Sequence, residues 1–183
     1  MNLIICSFLR FLCQQYSHNN VHSFFLPKTS KPIIMIGPGT GIAPMRALLQ
    51  EREHQKIQQK LNVGSNILYF GCKKRNLDFI YKDELEKYEK DGILDQMYLA
   101  FSREQSEKVY VQHLLAKNSK ETWDLIDAKG AYVYVCGAVK MGSDVTEALR
   151  KIVAEHGQHN SDGAKKYIEH LTSTGRFVQE LWA

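Results

Sequence analysis

The chain has 183 residues, 44% of them hydrophobic and 24% charged, proportions that exclude a disordered or fibrous chain and fit one packed domain, or one domain with an appendage. Lysine plus arginine number 24 against 20 aspartates and glutamates, a net charge of +4 too mild and too interspersed to argue for a nucleic-acid partner. Four scattered cysteines, Cys6, Cys13, Cys72 and Cys136, show no C-x-x-C and no histidine at ligand spacing, so neither a disulfide scaffold nor a metal site is expected.

In chain order, residues 3–13 form an apolar run with an arginine inside it, far too short to cross a bilayer and with no small-residue cleavage site behind it. No clear membrane span is expected, and the thiol usage suits a reducing, cytoplasmic compartment, with membrane attachment of a longer parent left open. Beyond residue 31 short β-like runs alternate with helical patterns, the signature of a parallel sheet covered by helices. Strands are expected at 32–36, 66–71, 97–101 and 131–136, with a weaker one at 176–181. Helical stripes follow from Val145, Leu149, Ile152 and Val153, and from Ala164, Tyr167, Ile168 and Leu171. Ligands of such sheets settle at the carboxyl ends of the strands, so the loops after the strands are where chemistry is to be sought.

After the first strand stands Gly37-Pro38-Gly39-Thr40-Gly41-Ile42-Ala43-Pro44, running into a helical pattern from Met45. Its glycines allow positive φ and close approach of a ligand, and the helix start offers unpaired N–H groups and a positive dipole end, together a phosphate cradle. The third glycine of G-x-G-x-x-G falls at Ile42 and no Gly-Lys-Ser/Thr follows, so neither common phosphate motif is met. The alternative is a glycine turn of purely structural use.

After the second strand comes Cys72-Lys73-Lys74-Arg75, and after the third Ser102-Arg103, with Lys108 and Tyr110 beyond. An unphosphorylated ribose diol is held by an acid at the end of the second strand, whereas a 2′-phosphate calls for cations and hydroxyls. Each charge-assisted bond is worth about 1.5–3 kcal/mol, so two of them give roughly a hundredfold preference or more. Solvated surface charge is the bland alternative for Lys73, Lys74 and Arg75. The fourth strand ends in Cys136-Gly137, a site position for a thiol, although buried thiols are most often packing residues. Near the terminus, Trp182 can either cover a flat ring at the sheet edge or seal the core.

Taken in order, Gly37-Pro38-Gly39-Thr40-Gly41-Ile42-Ala43-Pro44, Tyr69-Phe70-Gly71-Cys72, Phe101-Ser102-Arg103-Glu104-Gln105, Lys108-Val109-Tyr110-Val111-Gln112, Tyr134-Val135-Cys136-Gly137 and Trp182 closely resemble the NADPH-binding domain of diflavin reductases, in the ferredoxin-NADP reductase superfamily. The resemblance runs from about Phe24 to the C-terminus, and it implies an α/β, doubly wound, five-stranded parallel sheet of order 3-2-1-4-5 with helices on both faces. It divides the chain into an unassigned segment 1–20, a remnant 21–31 of the connection from an FAD domain, and an NADP(H)-binding domain 32–183. It places Gly39, Thr40 and Gly41 on the pyrophosphate and nicotinamide side and Lys73 on the adenine-side phosphates. Ser102, Arg103, Lys108 and Tyr110, with Gln112 adjoining, would hold the 2′-phosphate. Cys136 would lie near the nicotinamide and Glu180 would steady charge in hydride transfer, while Trp182 would stack on flavin and move aside for nicotinamide.

The activity so implied is NADPH-dependent flavoprotein oxidoreduction, with hydride passing to FAD and electrons onward through FMN to a hemoprotein or similar acceptor. FAD- and FMN-binding domains or chains and a redox acceptor protein are thus the expected partners. Ala138 departs from the family, which has an acid directly after Cys-Gly. The FAD-domain motif of arginine, tyrosine and serine is absent from these residues, which makes this chain the nucleotide-binding part, expected to bind NADP(H) and to transfer hydride poorly alone. The alternative is a non-catalytic NADP(H)-binding module.

Overall fold

The computed structural model describes residues 25–183, so segment 1–20, the first part of 21–31, and Cys6 and Cys13 lie outside the described residues. Five strands carry the fold: β1 Ile33–Ile36, β2 Asn66–Cys72, β3 Gln96–Phe101, β4 Tyr132–Ala138 and β5 Phe177–Trp182. They pair in parallel in the order β3-β2-β1-β4-β5, the topology expected from the resemblance. Every residue of β1 and β2 is buried, as required of inner strands covered on both faces, while the edge strands β3 and β5 are partly exposed.

The helices are α1 Ile42–Glu53, α2 Arg75–Asp78, α3 Lys82–Lys90, α4 Val111–Lys117, α5 Ser119–Ile126, α6 Val139–His156 and α7 Ser161–Ser173. On one face of the sheet, Ile42, Met45, Leu48 and Leu49 of α1 and Leu85 and Tyr88 of α3 pack on Ile33, Met35, Leu68 and Phe70. On the other, α4 to α7 bring Leu115, Ile126, Val145, Leu149, Ile152 and Ile168 onto Ile34, Ile36, Val133 and Val135. The spacings read from the sequence put Val145, Leu149, Ile152 and Val153 on the buried stripe of α6, and Ala164, Ile168 and Leu171 on that of α7. Asn160 starts α7 by accepting the Gly163 amide at 2.8 Å on its side-chain oxygen.

Strand order reverses beside β1: β2 and β3 lie on one side of it and β4 and β5 on the other. Ligands of parallel sheets settle at the carboxyl edge beside such a reversal. The segment before β1 is tied to the α1 face. Arg52, fully buried, donates to the carbonyls of Thr29 and Lys31, the second at 2.8 Å, and the Tyr134 hydroxyl donates to the Phe25 carbonyl at 2.5 Å.

Candidate functional site

The loop after β1 is a single 3-10 turn, Gly39–Gly41, that runs directly into α1. Gly41 donates to the Pro38 carbonyl at 3.1 Å, and the Ile42 amide turns back to the carbonyls of Gly39 and Thr40. No acid stands in the first turn of α1, so its positive end is uncompensated there.

The glycines differ in purpose, and here the expectation of general backbone freedom needs correcting. Only Gly39 has positive φ in this loop, at 57°, and a Cβ there would meet nothing within 4 Å, so it faces open space. Gly41 has ordinary helical angles, φ −62° and ψ −10°, and its want of a side chain has a packing cause. A Cβ at Gly41 would collide with the Cys136 carbonyl, standing 2.9 Å from its carbon. The loop thus leans on the end of β4 and bridges the point where strand order reverses.

The loops after β2 and β3 are laced into one unit. The strand ladder continues past both strands, with the Ser102 amide donating to the Cys72 carbonyl at 2.9 Å and the Arg103 amide to the Lys73 carbonyl at 3.0 Å. Asp78 closes the β2 loop by accepting the amides of Lys74 at 2.8 Å and Lys73 at 2.9 Å. Those two bonds hold its carboxyl below the usual carboxylate range. The β3 loop is fastened by Gln105, whose side-chain amide donates to the Phe101 carbonyl.

Side chains of Lys73, Arg103, Lys108 and Tyr110 are exposed and that of Ser102 is half-buried. Among the described residues none of Lys73, Lys74, Arg75, Arg103 and Lys108 is in an ion pair. With Asp78, Glu104 and Glu107 set against Lys73, Lys74, Arg75, Arg103 and Lys108, the two loops present a surplus of positive charge, which suits an anion. Tyr110 precedes α4, its ring 5.7 Å from that of His113. Gln112, at the start of α4, donates its side-chain amide to Asp144 of α6 at 3.5 Å, and its buried side-chain oxygen has no hydrogen-bond partner.

On the other side of β1, Cys136 of β4 is in register with Glu180 of β5, and Ala138 with Trp182. Alternation puts Cys136, Glu180 and Trp182 on one face of the sheet, the face that α1 covers. Cys136 is buried, and desolvation, with Glu180 adding to it, pushes its thiol up to about 11. Burial also raises the Glu180 carboxyl, while Trp182 remains 43% exposed at the edge. The cation loops, glycine loop and the Cys136–Glu180 pair thus share one edge, spread over the four strand spacings from β3 to β5, about 19 Å. A depression of about 580 Å³ lined by Ser65, Asp95, Gln96, Lys120 and Asp124 lies at the amino ends of β2 and β3, remote from these groups.

Sequence reasoning did not single out Arg46, Arg52 or a distinct role for Arg75. Arg46 pairs with Glu84 at 2.6 Å and sits 4.9 Å from the centre of the Tyr81 ring, joining α1 to α3. Arg52 was detectable: it continues the stripe Met45, Leu48, Leu49 at the next helical repeat and so had to be buried. Arg75, 4.4 Å from the centre of the Phe101 ring, depends on a contact between loops that no local pattern reveals.

A family profile described as the oxidoreductase NAD-binding domain matches residues 35–147. The chain is 45% identical over 162 residues to NADPH–cytochrome P450 reductase of Rattus norvegicus, covering 87% of this chain and 24% of that protein. The protein of the same name from Homo sapiens gives 45% identity over 162 residues, with the same shares. That from Dictyostelium discoideum is 41% identical over 163 residues, again over 87% of this chain and 24% of its own length. The chain therefore spans about a quarter of the length of these curated relatives.

Proposed function

The chain belongs to the oxidoreductase NAD-binding domain family, and from that premise we propose that it is the NADP(H)-binding part of an NADPH-dependent flavoprotein reductase. The observation that carries the reading is the common edge: a helix start open to a diphosphate at the switch point, unpaired cations beyond β2 and β3, and Cys136 with Glu180 beyond β4 and β5.

A dinucleotide fits these groups. Gly39 and Thr40, with the first amides of α1, receive the pyrophosphate, and open space at Gly39 admits it against the backbone. Gly41 contributes by bringing that turn onto β4. Lys73 neutralises phosphate charge from the β2 side. Ser102, Arg103, Lys108 and Tyr110 hold the 2′-phosphate, and Gln112 supports α4 through Asp144. In this reading Cys136 and Glu180, in register on β4 and β5, lie toward the nicotinamide end. A thiol pushed up to about 11 stays protonated at neutral pH, so Cys136 serves as a compact neutral neighbour and not as a nucleophile. Burial raises the Glu180 carboxyl, and in its ionised form it would oppose the positive charge that grows on the nicotinamide ring as hydride leaves. Trp182, exposed beside Ala138, is free to cover a flat ring and to yield that place. When bound, the dinucleotide supplies the hydride and a flavin, FAD in the first instance, receives it.

In this reading residues 32–183 form the nucleotide-binding unit and 21–31 the connection from an FAD domain, with FMN and an acceptor protein such as a cytochrome further along the electron path. Among the described residues no helix is long and apolar enough to cross a membrane, and the free thiols Cys72 and Cys136 suit a reducing, cytoplasmic setting. The test is calorimetric titration of the purified chain with NADP and NAD, beside Arg103→Ala. NADP binding that Arg103→Ala weakens at least tenfold, with NAD almost unchanged, supports the reading; equal losses for both, or no NADP binding at millimolar levels, overturns it. NADPH-driven reduction of FAD held on a separately supplied FAD-binding domain separates a catalytic unit from a module that binds NADP and reduces nothing.

A further inference from the structure

We propose that Arg75 is a specificity-determining residue, the cation that the β2 loop lends to the 2′-phosphate site; the proposal rests on the NADP(H) reading above. Three contacts place it. Its guanidinium carbon lies 4.4 Å from the centre of the Phe101 ring, and Phe101 immediately precedes Ser102 and Arg103. The ring itself is held, only 8% exposed, with the Phe79 ring centred 6.1 Å from it on the core side. The Arg75 amide donates to the Glu104 carboxylate, one residue past Arg103, so the backbone on which the guanidinium rides is pinned to the same turn.

The chemistry follows from this geometry. A guanidinium held over an aromatic face can still turn N–H groups to an oxyanion, and part of the ordering cost of a long side chain is met before the ligand arrives. Among the described residues Arg75 is in no ion pair, although the Asp78 and Glu104 carboxylates lie in the same loops. Glu104, the nearby acid, has its carboxylate directed to the Arg75 amide. A phosphomonoester dianion seated by Ser102 and Arg103 thus meets a second arginine from the neighbouring loop, whereas a bare ribose hydroxyl gains little from it.

The experiment titrates the whole chain with 2′,5′-ADP, 5′-ADP, NADP and NAD, comparing wild type with Arg75→Ala, Arg75→Lys and Arg103→Ala, each first checked for a wild-type circular-dichroism spectrum. Arg75→Ala is expected to weaken 2′,5′-ADP and NADP at least tenfold while 5′-ADP and NAD change less than twofold. Arg75→Lys, which keeps charge and loses the flat stack, is expected to fall between. Loss of all four ligands in equal proportion marks a merely structural role and overturns the proposal. So does unchanged NADP affinity in Arg75→Ala where Arg103→Ala weakens it, a result that leaves the NADP(H) reading standing. If the wild type itself fails to prefer 2′,5′-ADP over 5′-ADP, the reading falls and this proposal with it.

Discussion

Replacing Gly41 by alanine separates packing from ligand binding in the glycine loop. The backbone there is already helical, so the new methyl brings no conformational strain. Its cost is steric: the added carbon would lie 2.9 Å from the Cys136 carbonyl carbon, at least about 0.6 Å inside the 3.5–4.0 Å optimum for carbon pairs. The obstacle is backbone, and backbone of a strand paired on both sides, with β1 on one and β5 on the other, so it cannot swing away as a side-chain tip would. That puts the cost in the upper part of the overpacking range, about 2–3 kcal/mol. For a chain of this size the fall in Tm is about 4–12 °C. Gly39→Ala is the control: it meets no atom within 4 Å but must hold φ near 57°, costing about 1 kcal/mol and so about 2–4 °C. Thermal unfolding followed by far-ultraviolet circular dichroism reads both, and NADP calorimetry on the folded proteins should show the larger loss per degree of Tm at Gly39. A Gly41→Ala protein within 2 °C of wild type, or one more stable than Gly39→Ala, would refute the packing argument.

Arg52→Ala removes a fully buried side chain and strands the carbonyls of Thr29 and Lys31; destabilisation of about 3 kcal/mol or more is expected by urea denaturation, with little relief in Arg52→Lys. Cys72 and Cys136, each pushed up to about 11 chiefly by burial, keep their protons longer in the folded chain than in the unfolded one. Their contribution is therefore complete below the ordinary thiol pKa and is lost as pH rises toward 11, so stability should decline across that window, and Cys136→Ala should make the decline shallower. In a complete flavoprotein reductase carrying this domain, Trp182→Ala should improve kcat/KM for NADH relative to NADPH, because the exposed indole beside Ala138 no longer competes for the ring face; an unchanged cofactor ratio counts against the stacking role.

Much of the fold was legible because its signals are local. The all-buried runs of β1 and β2, the stripes of α6 and α7, and the order of glycine, cation and cysteine loops are each written within a few residues. Their sum is a parallel sheet with its chemistry at the carboxyl edge, and the strand order followed from the resemblance. What tertiary structure alone decided are relations between loops far apart in the chain. The Cys136 carbonyl that stands against Gly41 and leaves no room for a side chain there belongs to a strand 95 residues further along the chain. That Gln112, beside the cationic loops, reaches across to Asp144 of α6 is written in no local pattern. Arg75 looks like solvated charge until the Phe101 ring is found beneath it. The physical reason is common to all three: hydrophobic periodicity sets which elements form and which faces are buried, but contacts at a sheet edge depend on strand register and loop path, which emerge only when the elements pack.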